Sequence, residues 1–234
     1  MTAAYIIAGF CMAFAFLKAY FAAKGQHYKE IASKSVASAL FIVVGILACA
    51  HGGCGKPYGW LMLGGGVLGM MGDLFLSFDD IADGKQSKDF VSYMGVIAFF
   101  LGHVSYICAF ALLDAHTPWI ISFAALMPIA YILVGKKFTR IFDNKTRGIF
   151  MTVYFLALGA NIALAVSHAV AVGGGVMSAL IISGSVLFAL SDSLLGISSF
   201  SKGDFLPRSV SGFAVILTYY PAQLLLMLSI FFAI

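Results

Sequence analysis

The sequence predicts an all-α, polytopic membrane protein with eight transmembrane helices. Three observations carry that prediction. The 234 residues are 62% hydrophobic and only 10% charged, where a soluble domain of this size carries about 25% charge. The apolar residues fall into eight stretches near the length of about 20 that crosses a bilayer. The basic residues fall almost wholly into alternate connections, the signature of an oriented membrane protein.

The eight spans lie at about 3–22, 35–51, 58–78, 90–112, 118–134, 148–170, 174–199 and 209–232. The connections are too short for a soluble domain, so residues 1–234 form one integral membrane domain. The first span lacks a basic leader and a small-residue cleavage site and is read as a retained helix.

Lys18, Lys24, Lys29 and Lys34 flank the first connection, and Lys85 and Lys88 lie in the third. Lys136, Lys137, Arg140, Lys145 and Arg147 fill the fifth, with Lys202 and Arg208 in the seventh. Only Lys56, of 14 basic residues, falls on the other face. Odd-numbered connections therefore face the cytoplasm and both termini lie outside. The compact loops suggest a bacterial inner membrane. The net charge of +4 is a topology signal, and nucleic-acid binding is excluded.

A parallel 4+4 internal repeat is suggested. At an offset of 119 residues, Leu61, Gly65, Val67, Leu68, Asp73 and Leu76 meet Leu180, Gly184, Val186, Leu187, Asp192 and Leu195. The register continues without a gap from Gly84, Val91, Ser92, Val96 and Ile97 to Gly203, Val210, Ser211, Val215 and Ile216. Parallel duplication is known among membrane proteins, although the first two spans match the fifth and sixth poorly.

Ten acidic residues are present, and eight lie in loops or at helix ends. Asp73 and Asp192 are the exceptions, at about 7 and 10 Å from the cytoplasmic ends of spans that run in the same direction. An intramembrane carboxylate costs about 2.5–3.5 kcal/mol even on the lenient insertion scale, so it points to function. Two carboxylates at matching depth are placed to meet. Close carboxylates in low dielectric cannot both ionise cheaply, so such a pair offers an acid and an anion together. That combination suits acid-catalysed bond cleavage.

Other polar residues in the spans are candidates to orient a substrate: Tyr93, His103, Tyr154, Asn161, Tyr219 and Gln223. For each taken alone, helix-to-helix hydrogen bonding is the commoner role. No metal site is expected, because the other histidines (His27, His51, His116, His168) do not gather around His103 and zinc needs convergent ligands. Asp79, Asp80 and Asp83 lack the glycine and glutamate of a calcium loop and read as solvated. Gly65, Gly69 and Gly72 read as a small face for close helix packing beside Asp73. Cys11, Cys49, Cys54 and Cys108 read as small packing residues, with a Cys49–Cys54 bridge as the alternative.

Four motifs carry a family resemblance. GDLFL (72–76), GVIAFFLGHVSY (95–106), GSVLFALSDSLL (184–195) and YYPAQLL (219–225) resemble the YhhN-like lysoplasmalogenases. The resemblance implies an eight-helix membrane hydrolase without a cofactor. Its substrate would be lysoplasmalogen, whose vinyl ether it cleaves to a fatty aldehyde and a glycerophospho-ethanolamine or -choline. Asp73 and Asp192 match the family's GD and SD carboxylates, its catalytic pair. One departure is Lys34-Ser35, where the family is expected to carry Lys-Pro, and it touches a phosphate-binding role for Lys34.

Two competing readings use the same carboxylates. In a proton-coupled small transporter the Asp pair carries protons, and Pro221 with its repeat counterpart Gly102 would interrupt matching helices. An intramembrane aspartyl protease fits less well: Met71 breaks the glycine spacing before Asp73, and neither Asp follows a tyrosine.

Overall fold

A computed structural model describes residues 1–79, 84–115, 145–200 and 208–233. Seven long α-helices make up almost all of them: α1 Thr2–Ala23, α2 His27–Ala50, α3 Pro57–Asp79, α4 Lys85–Ala111, α5 Lys145–Val172, α6 Val176–Phe200 and α7 Arg208–Ser229. Single 3-10 turns follow α2 (Gly53–Gly55) and α7 (Ile230–Phe232). Each of the seven α-helices is long and apolar enough to cross a membrane. Helices satisfy their own backbone groups, which makes them fit for lipid. The span expected at 118–134, the basic residues Lys136, Lys137 and Arg140, and His116 lie outside the described residues.

The second span starts earlier than hydropathy implies. Hydropathy places its start at about 35, but α2 begins at His27. Its first turns carry Lys29, Glu30 and Lys34, which an apolar window rejects although they are helical. Glu30 is held there by Lys18 of α1, Nζ to Oε1 3.3 Å. Lys34-Ser35 therefore lies inside α2. A proline at Ser35 would lose the N–H bond of a regular turn, whereas the Ser35 hydroxyl donates to the Ile31 carbonyl at 2.9 Å.

Between α2 and α3 the chain turns at Gly52, whose φ of 108° favours glycine. Pro57 then opens α3, where its missing N–H costs nothing. Cys49 and Cys54 bridge this turn as a disulfide. For these two the packing reading is thus corrected: five residues apart around a tight turn, their side chains meet. Cys11 is buried and free, and donates its thiol to the Ala37 carbonyl at 3.2 Å.

The helices are packed inside out relative to a soluble protein. Tyr5, Ile6, Phe10 and Phe16 of α1 are exposed, as are Ile46 and Leu101, while Asp73, His103, Asn161, Asp192 and Gln223 are all at most 5% exposed. Polar groups in a bilayer protein belong in the bundle interior. Consecutive helices α1–α2, α3–α4 and α6–α7 pack as pairs, and α7 returns against α1, α2 and α3.

Gly65, Gly69 and Gly72 of α3 serve two neighbours. A Cβ at Gly72 would lie 2.7 Å from the Phe99 ring, and one at Gly65 would strike the Tyr106 ring; both residues belong to α4. Gly69 instead faces α7, where an added Cβ would strike the Gln223 amide. Small residues let helices approach closely in lipid. Here they also make room for polar side chains.

Candidate active site in the bundle interior

Asp73 and Asp192 each sit at the centre of a polar cluster, and the two clusters are built from different helices. Asp73 on α3 is 4% exposed. On α2, Lys34 and Ser38 stand one helical turn apart, on the face turned to α3. Lys34 Nζ lies 3.5 Å from Asp73 Oδ1, and the Ser38 hydroxyl donates to Oδ2 at 2.6 Å. Ser77 donates to the Asp73 backbone carbonyl at 2.7 Å. Tyr219 of α7 faces the same carboxylate.

Asp192 on α6 is 5% exposed. His103 of α4 places Nε2 2.9 Å from its Oδ2. Tyr154 of α5 donates its hydroxyl to the same oxygen. Asn161, one heptad after Tyr154 and so on the same stripe of α5, lies behind His103, Nδ2 to Nδ1 3.2 Å. Helical register alone brings Tyr154 and Asn161 to one side of α5.

A third set of groups lies between these clusters. Tyr106, three residues after His103, donates to Gln223 Oε1 at 2.8 Å. Gln223 Nε2 donates to the Tyr219 hydroxyl one turn back on α7, at 3.3 Å. Gln223 is fully buried, and its place is the space left by Gly69. Beside them the Phe188 ring stands edge-on to His103, centroids 4.4 Å apart, and to Tyr219, 5.4 Å apart. Among the described residues no hydrogen bond or ion pair joins Asp73 to Asp192. Each carboxylate is engaged by its own partners, and the Phe188 ring packs against His103 of one cluster and Tyr219 of the other.

Of the sequence candidates, Lys34 and Tyr219 thus come to Asp73, and His103, Tyr154 and Asn161 to Asp192 and its neighbour. Gln223 links Tyr106 to Tyr219. Tyr93 is not brought to this region: it is 39% exposed and stands ten residues, about 15 Å of helix, before His103. Ser38, Tyr106 and Phe188 were missed. Each had a signal in spacing, since Ser38 follows Lys34 by four, Tyr106 follows His103 by three, and Phe188 precedes Asp192 by four. Among the described residues no three His, Cys, Asp or Glu side chains gather as a metal site would require.

The arrangement combines a carboxylate paired with an ammonium group and a second carboxylate held, among the described residues, by an imidazole and a phenol. Both are sheltered from water in low dielectric, where charge and hydrogen bonds act strongly. The model of the YhhN family matches residues 30–230, which includes every residue of both clusters. No curated protein and no solved structure matches the chain.

Proposed function

The chain belongs to the YhhN family, and from that premise we propose that it is a lysoplasmalogenase, an intramembrane hydrolase acting on the vinyl ether bond of a lysophospholipid. The observation that carries this reading is the presence of two buried carboxylates with unlike partners, Asp73 with Lys34 and Asp192 with His103 and Tyr154. An acid-labile ether in a lipid needs a proton donor and an anion within reach of the acyl region, and few other groups inside the bundle can supply them.

In the proposed reaction a carboxyl proton passes to the β-carbon of the vinyl ether. The double-bond electrons form the new C–H bond and leave an oxocarbenium ion, which the second carboxylate stabilises. Water adds to that carbon and gives up a proton to a carboxylate. The resulting hemiacetal collapses to a fatty aldehyde and the free glycerol hydroxyl of the head-group product, so one water is consumed overall. Lys34 is suited to the phosphate of the substrate through its cytoplasmic placement beside Asp73. No cofactor enters this scheme. The test is to incubate purified protein with lysoplasmalogen and with an ester-linked lysophospholipid, and to measure free aldehyde and free fatty acid. Aldehyde from the first substrate alone supports the reading; fatty acid from the second, or no aldehyde, overturns it.

The proposed topology has eight spans, the fifth at about 118–134, with both termini outside in a bacterial inner membrane. The Cys49–Cys54 disulfide supports this orientation, because its turn falls on the face read as non-cytoplasmic, where disulfides persist. The internal repeat has support in packing. Gly65 seats the Tyr106 ring and Gly184 seats Leu226, contacts that agree within one residue at the offset of 119. A proton-coupled transporter is the second reading, favoured by Pro221 inside α7 opposite the repeat position of Gly102. Proton-coupled uptake into proteoliposomes without lipid turnover would select it.

A further inference from the structure

Asn161 is 3% exposed on α5, and its amide nitrogen is surrounded by acceptors. Nδ2 lies 3.2 Å from His103 Nδ1, 3.4 Å from the His103 carbonyl and 3.3 Å from the Ala157 carbonyl. Reversing the amide would press Oδ1 against two carbonyl oxygens, so the environment fixes which end faces His103. An amide nitrogen donates and does not accept. His103 Nδ1 must then be the accepting nitrogen, and the ring hydrogen resides on Nε2, aimed at Asp192 Oδ2 2.9 Å away. Tyr154 donates to that same oxygen. Among the described residues nothing donates to Asp192 Oδ1.

We propose that Asn161 is a positioning residue that holds His103 as the Nε2–H tautomer, so that Asp192 is gripped through Oδ2 and presents Oδ1 to the reactant. His103, Asn161 and Tyr154 thus act through Asp192, a role distinct from both the substrate contact and the helix-to-helix bond that the sequence leaves open for each. One end of the Asp192 carboxyl is anchored, and the other is the reacting atom. Among the described residues the Asn161 Oδ1 atom has no partner of its own, and the Ser185 hydroxyl lining the same crevice has none either. An asparagine kept only to tie helices together gains little from leaving its oxygen unpaired in the interior. Orienting one imidazole nitrogen needs only the amide N–H. The role in catalysis rests on the lysoplasmalogenase reading; the tautomer does not.

The experiment uses full-length protein with nitrogen-15-labelled histidine in lipid nanodiscs. The His103 signals are assigned by their loss in His103→Gln. Wild-type protein is expected to show a bare Nδ1 and a protonated Nε2, and Asn161→Leu a mixture of tautomers. A protonated Nδ1 in wild type overturns the proposal, as does an unchanged pattern in Asn161→Leu. Should Asn161→Leu fail to fold, the near-isosteric Asn161→Asp exchanges the donor for an acceptor, and a hydrogen is expected on Nδ1; a bare Nδ1 there overturns it. With lysoplasmalogen, Asn161→Leu is expected to lower kcat about tenfold or more with KM within about twofold. A raised KM with kcat intact makes Asn161 a substrate contact and overturns it. If wild-type protein releases no aldehyde, the functional reading fails while the nitrogen spectra still decide the tautomer.

Discussion

Tyr154 and His103 reach the same oxygen of Asp192, one from α5 and the other from α4. Asp73 is held differently: Lys34 takes one of its oxygens and Ser38 the other. One carboxylate has a lysine beside it and both oxygens occupied, while the other has two donors crowded on a single atom. Two aspartates at matching positions of a suggested repeat therefore have unlike chemical surroundings. Acid and anion roles need such a difference.

Asp73→Asn and Asp192→Asn each keep the shape of the side chain and remove its acid–base chemistry. Both variants are expected to fold and to lose aldehyde release by at least about a hundredfold. Elution volume in detergent checks the fold, and aldehyde trapping checks turnover. Full activity in either variant removes that residue from the mechanism.

Lys34→Met strands the Asp73 carboxylate in the bundle interior. Breaking one side of a buried ion pair costs about 3–5 kcal/mol, so the variant is expected to unfold at clearly lower temperature. Adding Asp73→Asn removes the stranded charge, and the double variant should regain most of the loss. A double variant no more stable than Lys34→Met argues that Lys34 stabilises the fold through other contacts.

Gly69→Ala places a methyl group where the Gln223 amide lies. The amide must move away from Tyr219 and Tyr106, at an expected overpacking cost of about 1–3 kcal/mol. Because the damage runs through Gln223, the effect of Gly69→Ala should shrink in a Gln223→Ala background. Additive losses in that double-mutant cycle contradict the packing seen here.

The sequence made the chemistry-bearing residues legible along each helix and left their pairing illegible between helices. Asp73 and Asp192 stand out because an acid in lipid is costly, and Tyr154 and Asn161 share a stripe because helical register requires it. Whether that stripe faces His103 or a lipid depends on how α5 is rotated against its neighbours, which depends on packing over many residues. For the same reason the expected meeting of the two carboxylates was beyond reach of depth alone. Equal depth fixes one coordinate, and the other two are set by how the helices pack and rotate. The early start of α2 was hidden because lysine and glutamate at a membrane edge lower hydropathy without breaking a helix. The bridge between Cys49 and Cys54 needed the turn at Gly52, whose backbone angle no composition records.

The disulfide also offers a topology test. With Cys108 replaced by alanine and the bridge reduced, a membrane-impermeant maleimide is expected to label Cys54 from the outer face of intact cells. Labelling that requires permeabilisation reverses the proposed orientation. Closing a loop of this size contributes about 2 kcal/mol in the chain-entropy view, so Cys54→Ser should lower the unfolding temperature modestly without altering turnover.

Tyr154 and Asn161 share one side of α5, and this makes the helix a key with two teeth. Turning α5 by one residue, about 100°, withdraws the phenol from Asp192 and the amide from His103 in the same movement. Neither bond can be released by that rotation alone while the other is kept. The Asp192 cluster is thus either locked or unlocked as a unit, and the rotational setting of a single helix decides which.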